Sequence, residues 1–288
     1  MFFRILRYDI RKGMLPDYKK FGITIAVSIA FCLQFLYRFG PNVEELQHKT
    51  FGDVIFFAFS GIPNYEFAPD KPFIFPALWI LLFLMPMFFV IYYPFNDLLG
   101  FGKSILIQVK RRTWWISKCT WVIIYITTYF AVIYSVVVIF CLLMHIPLSS
   151  QISQDTYERA VKTSSSLILT SNTPEHLPVP EGFFIQLYVL PVLSAIAVAL
   201  VQMTISLMTS PIYSFIVSVG IFLTSAYYMS PLLLGNYCMA IRSNVIIPEG
   251  VTAENGALLA VLVSSVSIIL GMLIFDRSDI LPKTLRDE

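Results

Sequence analysis

Six long apolar runs, at residues 21–39, 73–93, 120–144, 183–208, 211–234 and 257–275, contain no Asp, Glu or Lys, and their one Arg is Arg38 at the edge of the first. About 20 apolar residues in an α-helix match the ~30 Å hydrocarbon core of a bilayer. A helix also satisfies its own backbone hydrogen bonds where water is absent. The runs therefore predict an all-α polytopic membrane protein whose single six-span domain fills residues 1–288. Only 13% of the residues are charged, against roughly 25% in soluble domains. The connections 40–72 and 145–182 are each shorter than the about 50 residues an independent domain needs, so no separate catalytic domain is expected.

The net charge of +2 is too small to argue for nucleic acid, and its distribution says more than its sum. Residues 1–20 carry six Lys/Arg, 94–118 five and the tail from Asp276 three, whereas the other side has only Arg38, Lys49, Lys71, Arg159, Lys162 and Arg242. This asymmetry, fourteen against six, predicts both termini in the cytoplasm. The first run ends in Tyr37-Arg38-Phe39 without a small-x-small cleavage site, and reads as a retained anchor. Cys238 is the one outer-loop cysteine, so no disulfide framework is implied.

Along the first helix, Phe3, Leu6 and Ile10 form one stripe and Arg4, Arg7 and Arg11 a second, about 100° round. That pattern fits an amphipathic helix in the inner headgroup layer, ended by Pro16; it fits equally a plain positive-inside anchor. In the first outer loop, Glu44, Glu45, Asp53, Glu66 and Asp70 read as a solvated acidic surface, and the apolar patch 54–59 as a segment dipping into the interface. The second, with Ser164, Ser165 and Ser166 and Pro174, Pro178 and Pro180, reads as an irregular cap. Residues 245–248, between Gly235 and Gly256, suit either a re-entrant segment or an ordinary loop.

Several motifs fail on inspection. Gly102-Lys103-Ser104 ends like a phosphate-binding loop, but Asp97 stands where that pattern requires glycine. Glu44-Glu45 suggests paired catalytic carboxylates, yet His48, His145 and His176 are isolated in or beside outer loops, and metal chemistry needs several ligands together. No catalytic residue, cofactor or metal site is therefore expected in this chain. The spans offer only weak polar groups. Gln34, Thr128, Gln202, Ser218 and Thr224 are the candidates for a translocation path, although such residues more often pack helices together. Without intramembrane carboxylates, His or Lys, ion-coupled transport is not expected. Anything that passes would be apolar or amphipathic, and driven from elsewhere.

The segment 94–118 is the most specific. After Gly100 and Gly102, Ile105, Leu106 and Val109 form one face of a short helix along the cytoplasmic surface. Lys110, Arg111 and Arg112 would then meet lipid phosphates or an acidic partner, and Trp114 and Trp115 would sit at the headgroups. Six spans, cytoplasmic termini, a basic N-terminal helix and the stretch GFGKSILIQVKRRTWWISK together resemble an ABC-2-type transporter permease. So does Phe275-Asp276-Arg277 just past the last span.

The resemblance implies a permease subunit of an ATP-binding-cassette exporter in a bacterial plasma membrane. Separate ATPase subunits would bind ATP and Mg, and a second permease, identical or related, would complete the assembly. Phe101, Gly102, Lys103, Ile105, Leu106, Val109, Arg111 and Arg112 would form the coupling segment that docks on the ATPase. Family analogy favours a peptide or antimicrobial as substrate. A non-transporting sensor or assembly subunit with ligand-binding outer loops is the alternative reading, and an intramembrane enzyme a more distant one.

Overall fold

The computed structural model describes residues 1–39, 46, 48–65, 73, 75–100, 102–153, 155–156, 176–177, 181–247 and 249–277. Phe101, Pro248, the acids Glu44, Glu45, Glu66 and Asp70, and the Ser/Pro-rich part of the second outer loop lie outside them. Helix α1 (Phe2–Gly13) leads through a 3-10 turn at Leu15–Asp17 into α2 (Tyr18–Phe39). The Pro16 expected to end the first helix lies in that turn. A short helix α3 (Phe51–Phe59) follows, then α4 (Ala77–Val90), α5 (Tyr93–Leu99), α6 (Gly102–Gln108) and the long α7 (Arg111–Leu143). Two-residue strands β1 (Ile152–Ser153) and β2 (His176–Leu177) pair antiparallel. A π-helical turn, Ile185–Val189, opens α8 (Leu190–Ser206), which α9 (Pro211–Tyr227) and α10 (Ala253–Arg277) follow.

Among the described residues, five helical segments are long and apolar enough to cross a membrane: Phe2–Phe39, Ala77–Leu98, Arg111–Leu143, Ile185–Ser206 and Ala253–Arg277. That is the pattern of an all-α, multi-pass integral membrane protein. The run expected at 211–234 is helical only to Tyr227, and its 17 residues reach about 25 Å, short of the ~30 Å core. Its physical stop is Pro231, which has no amide hydrogen and would clash with the carbonyl of Tyr227 if the helix continued.

Helix α7 forms the spine. Its Trp121, Tyr125, Ile126, Tyr129 and Phe130 are fully enclosed by the surrounding helices. Pro86 inside α4 removes the hydrogen bond that the carbonyl of Leu82 would otherwise accept. The Tyr129 hydroxyl of α7 donates to that carbonyl at 3.0 Å instead. Where α4 ends, the side chains of Gln202 and Lys20 donate to the carbonyls of Met87 and Phe89, at 2.9 and 3.0 Å. The helix break is therefore held from three neighbouring elements.

The apolar patch 54–59 does not dip into the outer interface; it forms most of α3, which is buried in the body. Phe59 meets the rings of Phe83, Phe130 and Tyr134. Thr50 and Asp53 close a capping box at the start of α3, and the amide of Ser153 donates to Asp53 at 2.9 Å. Asp53, expected on a solvated loop, is thus enclosed, and burial raises its carboxyl pKa against the lowering effect of these bonds.

Candidate functional site

The most concentrated chemistry lies where α1, α5 and the first turns of α7 meet. Lys118 of α7 is fully buried, and its Nζ donates to Asp9 Oδ1 of α1 at 2.5 Å and to Asp97 Oδ2 of α5 at 2.6 Å. Ser117 Oγ donates to Asp9 Oδ2 at 2.7 Å, Tyr93 OH to Asp9 Oδ1 at 3.1 Å and Tyr8 OH to Asp97 Oδ1 at 3.3 Å. The ammonium also lies 4.7 and 4.9 Å from the ring centres of Tyr93 and Trp114. A buried ion pair of this kind survives only when its remaining lone pairs and protons are satisfied, as they are here.

The sequence folds this way because α1 turns a mixed line inward. Ile5, Asp9 and Gly13, four residues apart, are its buried positions, while Phe3 of the expected apolar stripe is 80% exposed. Leu6 and Ile10 are half-buried at the margin. Lys118 is the reason for the rotation, since it draws Asp9 to the packed side. Gly13 permits it, because a Cβ there would collide with the Tyr93 ring.

Gly102, the first residue of α6, packs directly on Asp97: a Cβ would overlap the carbonyl of Asp97 and crowd its carboxylate. The short helix α6 is therefore seated on one of the acids that hold Lys118. Ile105 and Leu106 are half-buried against the chain's own core, and Val109 follows the end of the helix. Lys103 lies within the helix.

Arg111 and Arg112, expected to face a partner or lipid phosphates, are engaged within the chain. Arg111 Nη1 donates to the carbonyls of Phe275 and Asp276 at 3.3 and 3.0 Å, capping the C-terminus of α10. Arg112 pairs with Asp276 at 2.8 Å. Trp114 and Trp115, expected to meet the headgroups, are buried inside the protein. Trp114 stacks on Phe275 and Trp115 Nε1 donates to the carbonyl of Ile268 at 2.9 Å. The C-terminal carbonyls and negative dipole end of α10 attract the two arginines.

The five path candidates do not converge. Ser218 Oγ donates to Gln202 Oε1 at 2.7 Å, and Gln202 in turn caps Met87, so this pair staples α8, α9 and α4. A small cavity adjoins it between Val90, Val122, Gln202, Ser206 and Ser214. Thr128 returns its hydroxyl to the carbonyl of Ile124 at 2.8 Å. Gln34 and Thr224 lie on exposed faces of α2 and α9.

On the opposite side, Arg242 is fully buried. Nε donates to Ile62, Nη1 to Ser225 and Asn236, and Nη2 to Pro63 and Ala226. All five guanidinium donors have an acceptor, four of them backbone carbonyls. Burial pushes its pKa down to about 10, so it remains charged at neutral pH. Among the described residues no group of His, Cys, Asp and Glu is arranged to hold a metal ion.

Charge counting places Lys118 among the five basic residues of 94–118 and assigns no role to Asp9, while Asp97 enters only as the residue that breaks the phosphate-loop pattern. One signal was available: Asp97 is the sole acid in the basic segment 94–118, next to a span. Pairing it with Asp9 required the fold. No protein-family model, no curated protein and no solved structure matches this chain.

Proposed function

We propose that this chain is the membrane-spanning permease subunit of an ATP-binding-cassette exporter. ATP and Mg would be held by a separate ATPase, and a second permease, identical or related, would complete the channel. On this reading α9 is the sixth span, both termini face the cytoplasm of a bacterial cell, and the basic asymmetry of the loops supports that orientation. The apolar composition of the spans supports an apolar or amphipathic substrate, such as a peptide, with the driving energy drawn from the partner.

The observation that carries the proposal is the seating of α6. A seven-residue helix hangs between two membrane-crossing elements, packed through Gly102 onto Asp97, and Asp97 binds Lys118 at the start of α7. A push on α6 thus bears on a buried ion pair rather than on a loose loop. Gly102, Lys103, Ile105, Leu106 and Val109, with Phe101 before them, form the docking element. Arg111 and Arg112 serve it indirectly by holding α10 against α7.

The test is isolation of the tagged full chain from its native membranes, with mass-spectrometric identification of bound proteins and measurement of ATP turnover. An ABC-type ATPase should co-purify with wild type. Lys110→Glu, at an exposed position beside α6, and Ile105→Asp, which places a charge on its half-buried margin, should each reduce its recovery. Wild-type chain that carries no such ATPase would sink the proposal.

A further inference from the structure

The outer face of α1 has no role in the packing just described. Arg4, Arg7 and Arg11 project opposite the buried line Ile5–Asp9–Gly13. All three are exposed and none has a partner among the described residues. Exposed apolar side chains flank them, with Met1 and Phe3 at one end and Leu15 and Tyr18 at the other. The depth of this face follows from α7. Its 33 residues span about 50 Å, some 20 Å more than a hydrocarbon core, and its uncharged run starts only at Cys119. Lys118 and the α1 helix bound to it therefore lie at the headgroup boundary.

We propose that α1 is a docking surface for the anionic headgroups of the adjoining leaflet, connected to α6 through Asp9, Lys118 and Asp97. The chemistry fits at each step. Three unpaired guanidiniums suit phosphate oxygens, and flanking aromatic and aliphatic groups suit the headgroup–acyl boundary. The helix that presents them is fixed from behind by a buried carboxylate. Asp9 and Asp97 share the same ammonium, so holding α1 in place also holds the seat of Gly102. Anionic lipid at one face is thereby felt at a helix it does not touch. This goes beyond the permease reading and does not depend on it.

Hydrogen–deuterium exchange of the full chain, reconstituted in nanodiscs of phosphatidylcholine with or without phosphatidylglycerol, tests the proposal without any ATPase present. Phosphatidylglycerol should slow amide exchange over 102–108 by roughly an order of magnitude, a fraction of what three surface arginines gain together from an anionic leaflet. The exposed triple substitution Arg4→Gln, Arg7→Gln, Arg11→Gln should abolish that response. Eleven of the fourteen basic residues remain on that side to keep the topology. Asp9→Asn, which keeps the arginines, should abolish it too. Equal exchange in both lipids, or a full response in the triple variant, would overturn the proposal. A full response in Asp9→Asn would overturn the connection through Lys118.

Discussion

Two of the buried cations among the described residues, Lys118 and Arg242, hold opposite ends of this bundle, and they are satisfied in opposite ways. Lys118 meets two carboxylates, brought from α1 and α5. Arg242 meets four backbone carbonyls and the amide oxygen of Asn236, and none of these five acceptors belongs to an acid. The residue types suit these tasks. An ammonium is a compact charge that accepts carboxylates from different directions, whereas a guanidinium presents five donors in a fixed fork. The Lys118 knot therefore depends on charge, and the Arg242 knot on the geometry of fixed dipoles. The first can respond to an electrostatic change, and the second is a rigid cap.

The molecule carries its own reporters for this contrast. Cys119 adjoins Lys118, Cys238 lies in the turn beside Asn236, and Cys32 and Cys141 are buried in the spans. Labelling with a thiol-reactive dye during heating, with the modified cysteine identified by mass spectrometry, shows which end opens first.

The largest effect is expected at Arg242. Arg242→Ala strands three buried carbonyls, the part-buried carbonyl of Pro63 and Asn236, at about 1–3 kcal/mol for each unsatisfied group, so a loss above about 5 kcal/mol is expected, with Cys238 labelled first. Arg242→Lys should recover little, because three donors on one point cannot meet five acceptors spread over a plane. If the lysine variant regained wild-type stability, charge rather than geometry would govern this end, and the contrast would fail.

Lys118→Met should cost less, about 3–5 kcal/mol, as it leaves two enclosed carboxylates without their cation. Cys119 should then be the first site labelled. The diagnostic variant adds Asp9→Asn and Asp97→Asn to Lys118→Met. Neutral groups of similar shape remove the stranded charges, and stability should return to within about 1–2 kcal/mol of wild type. A triple variant as unstable as Lys118→Met would mean that packing, not charge, holds this end.

Much of the fold was legible in the sequence because the bilayer imposes long apolar runs. The helices over 21–39, 120–144 and 257–275 follow from composition, as does the short helix after Gly102. Other parts were not legible, for definite reasons. Pro231 truncates α9 inside an unbroken apolar run, and hydropathy does not register the missing amide hydrogen. Helix α3 has the composition of an interfacial segment, but the bonds from Thr50 and Ser153 to Asp53 draw it into the body. At the candidate site, each charge looks like a loop residue in its own segment. Asp9 and Lys118 lie 109 positions apart, and no local pattern announces such a pair.

The smallest effect is expected at Arg112, and it sharpens the contrast by supplying a cation that is not buried. Its side chain is 66% exposed and Asp276 29% exposed, with 2.8 Å between Nε and Oδ2. Water screens such a pair, and holding the long side chain in one geometry offsets part of its Coulomb gain, so Arg112→Ala should cost only about 0–1 kcal/mol. For a protein of this size that shifts the labelling midpoint of Cys119 by roughly 0–4 °C. Raising salt to about 1 M, where the Debye length falls to about 3 Å, should make wild type behave like the variant at this contact. The same salt should leave the enclosed Lys118 knot unchanged. Arg111→Ala should cost more than Arg112→Ala, because it uncovers the carbonyls of Phe275 and Asp276 at the end of α10. An Arg112→Ala shift as large as that of Lys118→Met would show that the clamp on α10 shares the load of the buried knot. The division into one charge-held and one geometry-held end would then need a third term.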